Sequence, residues 1–315
     1  MSAALRFALQ ALFWGGWAGA YFALPEYLPL LAQIAIIALF VLSLDLLVGY
    51  AGFVTLGHAA FFGLGAYAAG ILAQQGWGEP ISGLLFGAAV AALVGLLTAP
   101  LVLRGGDLTG LMVTLGIAMM LFEAANRMAW LTGGADGLQG VEMWEIFGVW
   151  RFDLFGRTAF VYSLTVLFLL YLLARLIVSS PFGLALRGIK GNRRRMEALG
   201  TPVRARLVAV YTLSAAYAGI AGALLAQTTQ FVSLDVLDFH RSADALLMLV
   251  LGGMGSLYGA MLGAIVFMVA HHALSELTPQ FWQFWIGIAL IALAIAGRGG
   301  MLGLAGRLLA RWGGR

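Results

Sequence analysis

The sequence predicts an all-α, polytopic inner-membrane protein with about eight full transmembrane helices and two glycine-broken or re-entrant arms. Three observations predict it. Charged residues fill 10% of the 315 positions and hydrophobic ones 62%, whereas a soluble domain carries roughly 25% charge; no soluble fold hides that much apolar surface. The apolar residues come in continuous runs of about 20, the length of a membrane-crossing helix, and not in the short alternating runs of an outer-membrane barrel. The charge is also gathered. Seven of the 18 basic residues (Arg187, Lys190, Arg193, Arg194, Arg195, Arg204, Arg206) lie within 179–206 against one acid, Glu197, and a basic loop between two spans stays in the cytoplasm. The 43 glycines fit close helix packing in lipid.

Taken in order, residues 1–24 hold one cation, Arg6, and an apolar run ending at Pro25. Ala18-Gly19-Ala20 has the form of a signal-peptidase site, but the positive end is too weak for a leader. An uncleaved extra span over 1–27 is expected, with Arg6 inside and Glu26 outside. Residues 28–73 lie between Glu26 and Glu79, so they must cross an even number of times, as a hairpin. Its middle carries Gly49, Gly52, Gly57, Gly63 and Gly65, and each glycine weakens a helix by roughly 1 kcal/mol relative to alanine. A broken or tightly packed hairpin near mid-membrane follows, where irregular backbone is tolerated only inside protein or beside a watery cavity.

Residues 80–103 cross inward, 104–107 turn, and 108–131 return, carrying Glu123 and Arg127, four apart and able to pair on one face. The outer segment 132–158 opens with turn residues, and its four acids outnumber its two arginines, opposite in sign to the basic loop. Residues 159–178 go in and 207–230 come out. A short outer loop, 231–241, holds Asp235, Asp238, His240 and Arg241. Residues 242–274 repeat the hairpin design around Gly252-Gly253-Met254-Gly255-Ser256. These 33 residues give about 50 Å of helix against about 60 Å for two spans, so one arm is expected to be short or re-entrant. The two hairpins hint at an internal repeat. Residues 281–296 cross back, and Arg298, Arg307, Arg311 and Arg315 form a basic cytoplasmic tail, 297–315. The chain thus reads as one transmembrane domain, 1–315, with both termini cytoplasmic.

The basic loop is itself structured. Ser180-Pro181 reads as cap and first residue of a short helix towards Lys190. Asn192 can cap a second helix, 193–199, which Gly200 closes and Pro202 stops. Met196 and Leu199 lie three apart on that helix, on one face among arginines. This is either a docking knob or a plain topogenic loop.

Few polar residues lie within the spans. Asp45 is either a functional group or an internally paired acid. His58 either lines a pathway or is packed and hydrogen-bonded. His271 and His272 point to different faces and suit an interface better than a metal. Glu123 and Arg127 suit a structural ion pair better than a substrate clamp. The candidate substrate pathway is Asp45, Gly49, Tyr50, Gly52, Thr55, His58, Gly252, Gly253, Gly255 and Ser256. The chain has no cysteine, and its only lysine, Lys190, sits in GIKGN, without the spacing of a nucleotide-binding loop. Neither an enzyme, a metal site nor a nucleic-acid partner is expected, and any transport energy must come from a partner or an ion gradient. With an ion gradient the chain would be a secondary transporter of a small solute, Asp45 or His58 carrying the proton.

Four segments together resemble the inner-membrane permeases of branched-chain amino-acid-type ABC importers, M-type (LivM-like) subunit: SLDLLVGYAGFVTLGHAAFFGLGAY (43–67), VTLGIAMMLFEAANRMAWLTGGADGLQGV (113–141), RGIKGNRRRMEALGTPVRARLVAVYTLSAAYAGIAGALLA (187–226) and LMLVLGGMGSLYGAMLGAIV (247–266). The resemblance implies a permease paired with a second, H-type permease, two cytoplasmic ATPases that bind ATP and Mg, and a periplasmic binding protein. It implies that 179–206 is the coupling loop, with Arg187, Arg193, Arg194, Arg195, Met196, Glu197, Ala198, Leu199 and Gly200 meeting the ATPase. It implies a branched-chain amino acid or a related small organic solute as cargo. The chain departs from the family pattern at Asp45 (commonly Asn), at Phe53 and Thr55 (commonly Gln and Ser), and at Gly297-Arg298-Gly299 (commonly Pro-Arg-Gly).

Overall fold

The computed structural model describes residues 3–105, 107–153 and 155–277, with isolated positions beyond (281, 284, 285, 287, 288, 300, 301 and 303). The expected span 281–296 and the tail arginines Arg298, Arg307, Arg311 and Arg315 lie outside the described residues. Within them the chain is helical, and six helices are long and apolar enough to cross a membrane.

Helix α1 (Ala3–Ala23) runs antiparallel to α7 (Arg157–Ser179). Gln10 accepts from Arg175 at 3.3 Å, and Trp17 and Tyr21 stack on Phe160 near the other end. The N-terminal half of α1 thus shares the end of the bundle that carries the basic loop, called here the loop end.

Helix α2 (Leu28–Asp45) continues through a wider π-helical turn, Leu46–Tyr50. Its apolar window is 89% buried, which makes it the central helix. An all-apolar sequence with almost no polar stripe suits a helix surrounded by protein. From Leu28 to Tyr50 it spans about 35 Å at 1.5 Å per residue, enough for a whole membrane. The hairpin break therefore begins at the loop end and not at the expected mid-membrane level. The π turn absorbs Gly49 without breaking the helix, and the first residue forced out of helical backbone is Gly52, at φ +75°. Residues 52–57 then climb back beside α2 to α3 (His58–Gln74). Gly63 and Gly65 lie inside α3 and serve packing: a Cβ on Gly65 would overlap the Gly219 carbonyl, so the backbones of α3 and α10 touch, as small residues permit in lipid.

Helix α4 (Pro80–Val102) starts at a cap, the Glu79 carboxylate accepting from the amides of Ile81 and Ser82. Helix α5 (Asp107–Arg127) follows, and the short α6 (Ala129–Thr132) leads into an irregular segment before α7. That segment is tied back by an antiparallel bridge between Leu138 and Val232 and by the Trp144 amide, which donates to the Gly78 carbonyl at 2.8 Å. The basic loop folds into α8 (Pro181–Gly191) and α9 (Arg193–Ala198). The Asn192 side chain accepts from the Arg195 amide at 3.0 Å, and Gly200 turns the chain at φ +80°. Helix α10 (Val203–Thr229) packs in the middle, against α2, α3 and α4. Helix α11 (Phe239–Gly252) is 14 residues long, too short to span, and α12 (Leu257–Leu277) is 21. The second hairpin thus has the one short arm that its length required.

Candidate functional site

At the loop end both glycine breaks and the basic loop meet. One Asp45 carboxylate oxygen accepts from the Gly255 amide at 2.7 Å. One π turn later the Gly49 carbonyl accepts from Lys190 Nζ of α8 at 2.6 Å. The contact is built on absent side chains. A Cβ on Gly49 would overlap Asp45 Oδ1 and sit 2.5 Å from the Gly255 nitrogen, and Gly255 holds φ +84°, a conformation that costs other residues roughly 1–2 kcal/mol. Lys190 also lies along Gly52, whose Cβ would come within 2.8 Å of its stem. The Arg187 guanidinium lies 5.2 Å from the Tyr50 ring centroid. Helix α8 therefore grips the π turn by a carbonyl and a ring and the glycine just beyond it, and Asp45, just before the turn, grips the second hairpin.

Above this junction a belt of hydroxyls serves backbone that no helix satisfies. The Leu56 amide donates to Thr114 Oγ1 (3.4 Å), Gly57 to Thr55 Oγ1 (3.2 Å) and Ala59 to Ser242 Oγ (2.8 Å). Unpaired amides at this depth would each cost free energy comparable to a lost hydrogen bond. His58 is fully buried, stacked on Phe40, with Nε2 2.8 Å from Ser43 Oγ. The Ser43 oxygen also lies 2.5 Å from the Phe40 carbonyl, so one hydroxyl links the imidazole to the backbone of α2.

The exposed side of the basic loop is α9. Met196 folds back onto Gly188 of α8, while Leu199 lies just past the helix end and is 71% exposed. The apolar face expected from their spacing is thus divided: Met196 holds α9 to α8, and Leu199 faces outward with Arg194, Arg195, Glu197, Ala198 and Gly200.

At the opposite end, a cavity of about 670 Å³ opens between α2, α10, α11 and α12. Its floor includes Phe40, whose ring covers His58. Asp235, Asp238, His240, Arg241, Asp244 and His271 supply its polar lining. The Arg241 guanidinium lies 5.4 Å from the Phe62 ring centroid. Asp238 caps α11 through the His240 amide and pairs with the His240 ring at 2.9 Å; these bonds, the amide first, hold its carboxyl below the usual range. His272, next to His271, packs instead on Tyr27.

None of the sequence-predicted pathway residues lines this cavity. Asp45, Gly49, Tyr50, Gly52, Gly253, Gly255 and Ser256 gather at or beside the junction with α8; Ser256 there accepts from the Gly259 amide at 3.3 Å. Thr55 and His58 belong to the hydroxyl belt, and Gly252 packs on Gly259 between α11 and α12. Glu123 and Arg127 pair at 2.5 Å on an exposed face. Sequence reasoning missed Lys190 as a contact, although a signal was present: one lysine in a chain that otherwise uses 17 arginines. It also missed Arg241 and Asp244 as cavity residues, because only the fold of the short arm turns both towards α2.

A family described as "Branched-chain amino acid transport system / permease component" matches residues 27–294. The high-affinity branched-chain amino acid transport system permease protein LivM of Escherichia coli is 28% identical over 81% of this chain and 64% of its own length. The autoinducer 2 import system permease protein LsrC of an Enterobacter species is 27% identical over 88% of this chain and 77% of its own. The galactose/methyl galactoside import permease protein MglC of Haemophilus influenzae is 26% identical over 66% of this chain and 63% of its own. The chain spans less than two thirds of the LivM relatives it matches. No solved structure gives a significant match.

Proposed function

We propose, because this chain belongs to the family of branched-chain amino acid transport permease components, that it is a transmembrane subunit of an ATP-driven ABC importer. Its cargo is a branched-chain amino acid or a related small organic solute. The loop end faces the cytoplasm, where ATPase partners bind ATP and Mg and receive α9; a second, H-type permease and a periplasmic binding protein complete the assembly. The termini then lie in the cytoplasm.

One observation carries the reading: Lys190 of α8 holds the Gly49 carbonyl of the π turn. A force applied to exposed α9 has a continuous route through α8 to the central helix and, by Asp45 and Gly255, to the second hairpin. The proton-coupled alternative finds less support. The carboxylate of Asp45 bonds to a backbone amide and is 0% exposed, and His58 is sealed under Phe40.

The test is reconstitution in proteoliposomes with the three partner types. Uptake must require ATP, and the chain must retain the ATPases through purification. Uptake by this chain alone, driven by a pH gradient in ATP-free vesicles, would overturn the reading.

A further inference from the structure

Residues 146–150 fold into a tight turn whose apolar tip is left largely exposed by the described residues. Ile146 and Trp150 pair as an isolated antiparallel bridge, and Phe147 and Gly148 between them hold φ +53° and +70°. Such central positions favour glycine, asparagine and aspartate, and a phenylalanine there is strained. Among the described residues little packing offsets that strain: Phe147, Val149 and Trp150 are 75%, 69% and 58% exposed. The polar groups beside the tip are, by contrast, engaged. Arg151 pairs with Glu145, and Asp153 accepts from the Thr158 amide at 3.1 Å. The turn therefore presents an apolar tip on a closed polar base.

Where the tip lies decides what it meets. A cleft of about 300 Å³ separates the turn from α7; Ile146, Phe147 and Trp150 form one wall, and residues between Arg157 and Thr165 form the other. Helix α7, with 23 residues, is long and apolar enough to cross a membrane. Thr165 lies about 12 Å along its axis from Arg157, at 1.5 Å per residue. The turn thus folds back beside the first two turns of a span instead of standing clear of it. That is the depth at which a bilayer meets water and at which Trp and Tyr collect. Val161 on this stretch is itself 51% exposed, so the apolar surface continues from the tip onto the helix. Arg157, at the start of the span and 6.0 Å from the Phe155 ring centroid, sits at the level of lipid phosphates, where a long cationic side chain can reach the headgroups. We propose that the turn is a membrane anchor, with Phe147, Val149 and Trp150 seated in the bilayer interface and Arg157 on a lipid phosphate. The anchor goes beyond the importer reading, from which it takes only the name of the leaflet, the outer one.

The chain has no cysteine, so Val149→Cys gives a single site at the tip for an environment-sensitive fluorophore, and Phe147→Cys gives a second. Ala135→Cys, exposed at the polar start of the same segment, is the control. The full chain is placed in nanodiscs of phosphatidylcholine and phosphatidylglycerol. Each label is then quenched from water by iodide, or from within the bilayer by nitroxide lipids. A tip label is expected to lose most of its fluorescence to a nitroxide near the headgroup, less to one at the chain end, and little to iodide, as befits a side chain at the headgroup boundary. The control label is expected to lose most to iodide and little to either nitroxide. Strong iodide quenching at the tip, with little from the nitroxides, would overturn the anchor. Iodide quenching that disappears only when the partner proteins of the importer are added would give the turn to a protein surface and overturn it likewise. Either tip site decides the matter if the other variant fails to fold. No label depends on transport, so the loss of the anchor would leave the importer reading standing.

Discussion

The two ends of the central helix are built on opposite principles. At the loop end, Asp45, Gly49, Gly255 and Lys190 form a close-packed junction in which one Asp45 oxygen, the Gly49 carbonyl and the Lys190 ammonium bond to the chain itself. At the other end, Arg241, Asp235 and Asp244 line about 670 Å³ of open space, and among the described residues none of the three makes an ion pair. The contrast fits the roles proposed for the two ends. A part that transmits displacement must be filled, because a gap absorbs motion and close-packed protein passes it on. A part that receives a solute must hold room and unpaired groups.

Breaking the filled end should have the largest effect. Gly49→Val puts atoms where Asp45 Oδ1 and the Gly255 amide already sit; a loss of about 3 kcal/mol is expected, read as a fall in the denaturation midpoint of the purified chain. The same change at Gly140, where a Cβ meets nothing within 4 Å but φ is +75°, should cost no more than backbone strain, about 1–2 kcal/mol. Next comes Asp45→Leu, which leaves the Gly255 amide without its acceptor and should cost about 2 kcal/mol. Asp45→Asn keeps an acceptor oxygen and should keep most of that stability; equal losses in the two variants would remove the Gly255 bond from the account.

Lys190→Met keeps the apolar stem on Gly52 and removes only the ammonium. Uptake by the reconstituted assembly should fall about tenfold, the worth of one charge-assisted bond, while its ATP hydrolysis continues. A parallel fall in both rates would mean that Lys190 holds the assembly together and does not transmit.

Smaller effects are expected away from the junction. Glu79 caps α4 outside the spans. Burial alone would raise its carboxyl, but the bonds from Ser82 and Ile81 hold it below the usual range. A carboxyl lowered by folding stabilises the protein above its unfolded value and loses that contribution as pH falls through the folded one. Glu79→Ala should cost about 1 kcal/mol at neutral pH, and the difference from the unaltered chain should shrink under acid, in thermal melts at stepped pH. Leu199→Ala should change stability by less than about 0.5 kcal/mol, the ordinary result at an exposed position, yet weaken retention of the ATPases in pull-down. A clear drop in stability would place Leu199 in the fold and not on the docking surface.

The residues themselves determined the class and, among the described residues, the order of the main helices. Continuous apolar runs admit only helices in lipid, because every backbone group must be satisfied locally; Asn192 and Gly200 mark the ends of α9 by local chemistry that needs no partner. The length of 242–274 alone required one short arm. Only the tertiary structure decided where the breaks lie and what they touch. Glycine marks a close approach, but the partner that approaches comes from far along the chain: Gly255 is 210 residues from Asp45 and Lys190 is 141 from Gly49. Spacing placed Met196 and Leu199 on one face, and contact with Gly188 separated them. Periodicity reports how a segment meets its surroundings as a whole, whereas a junction or a cavity exists only once separate segments share a space.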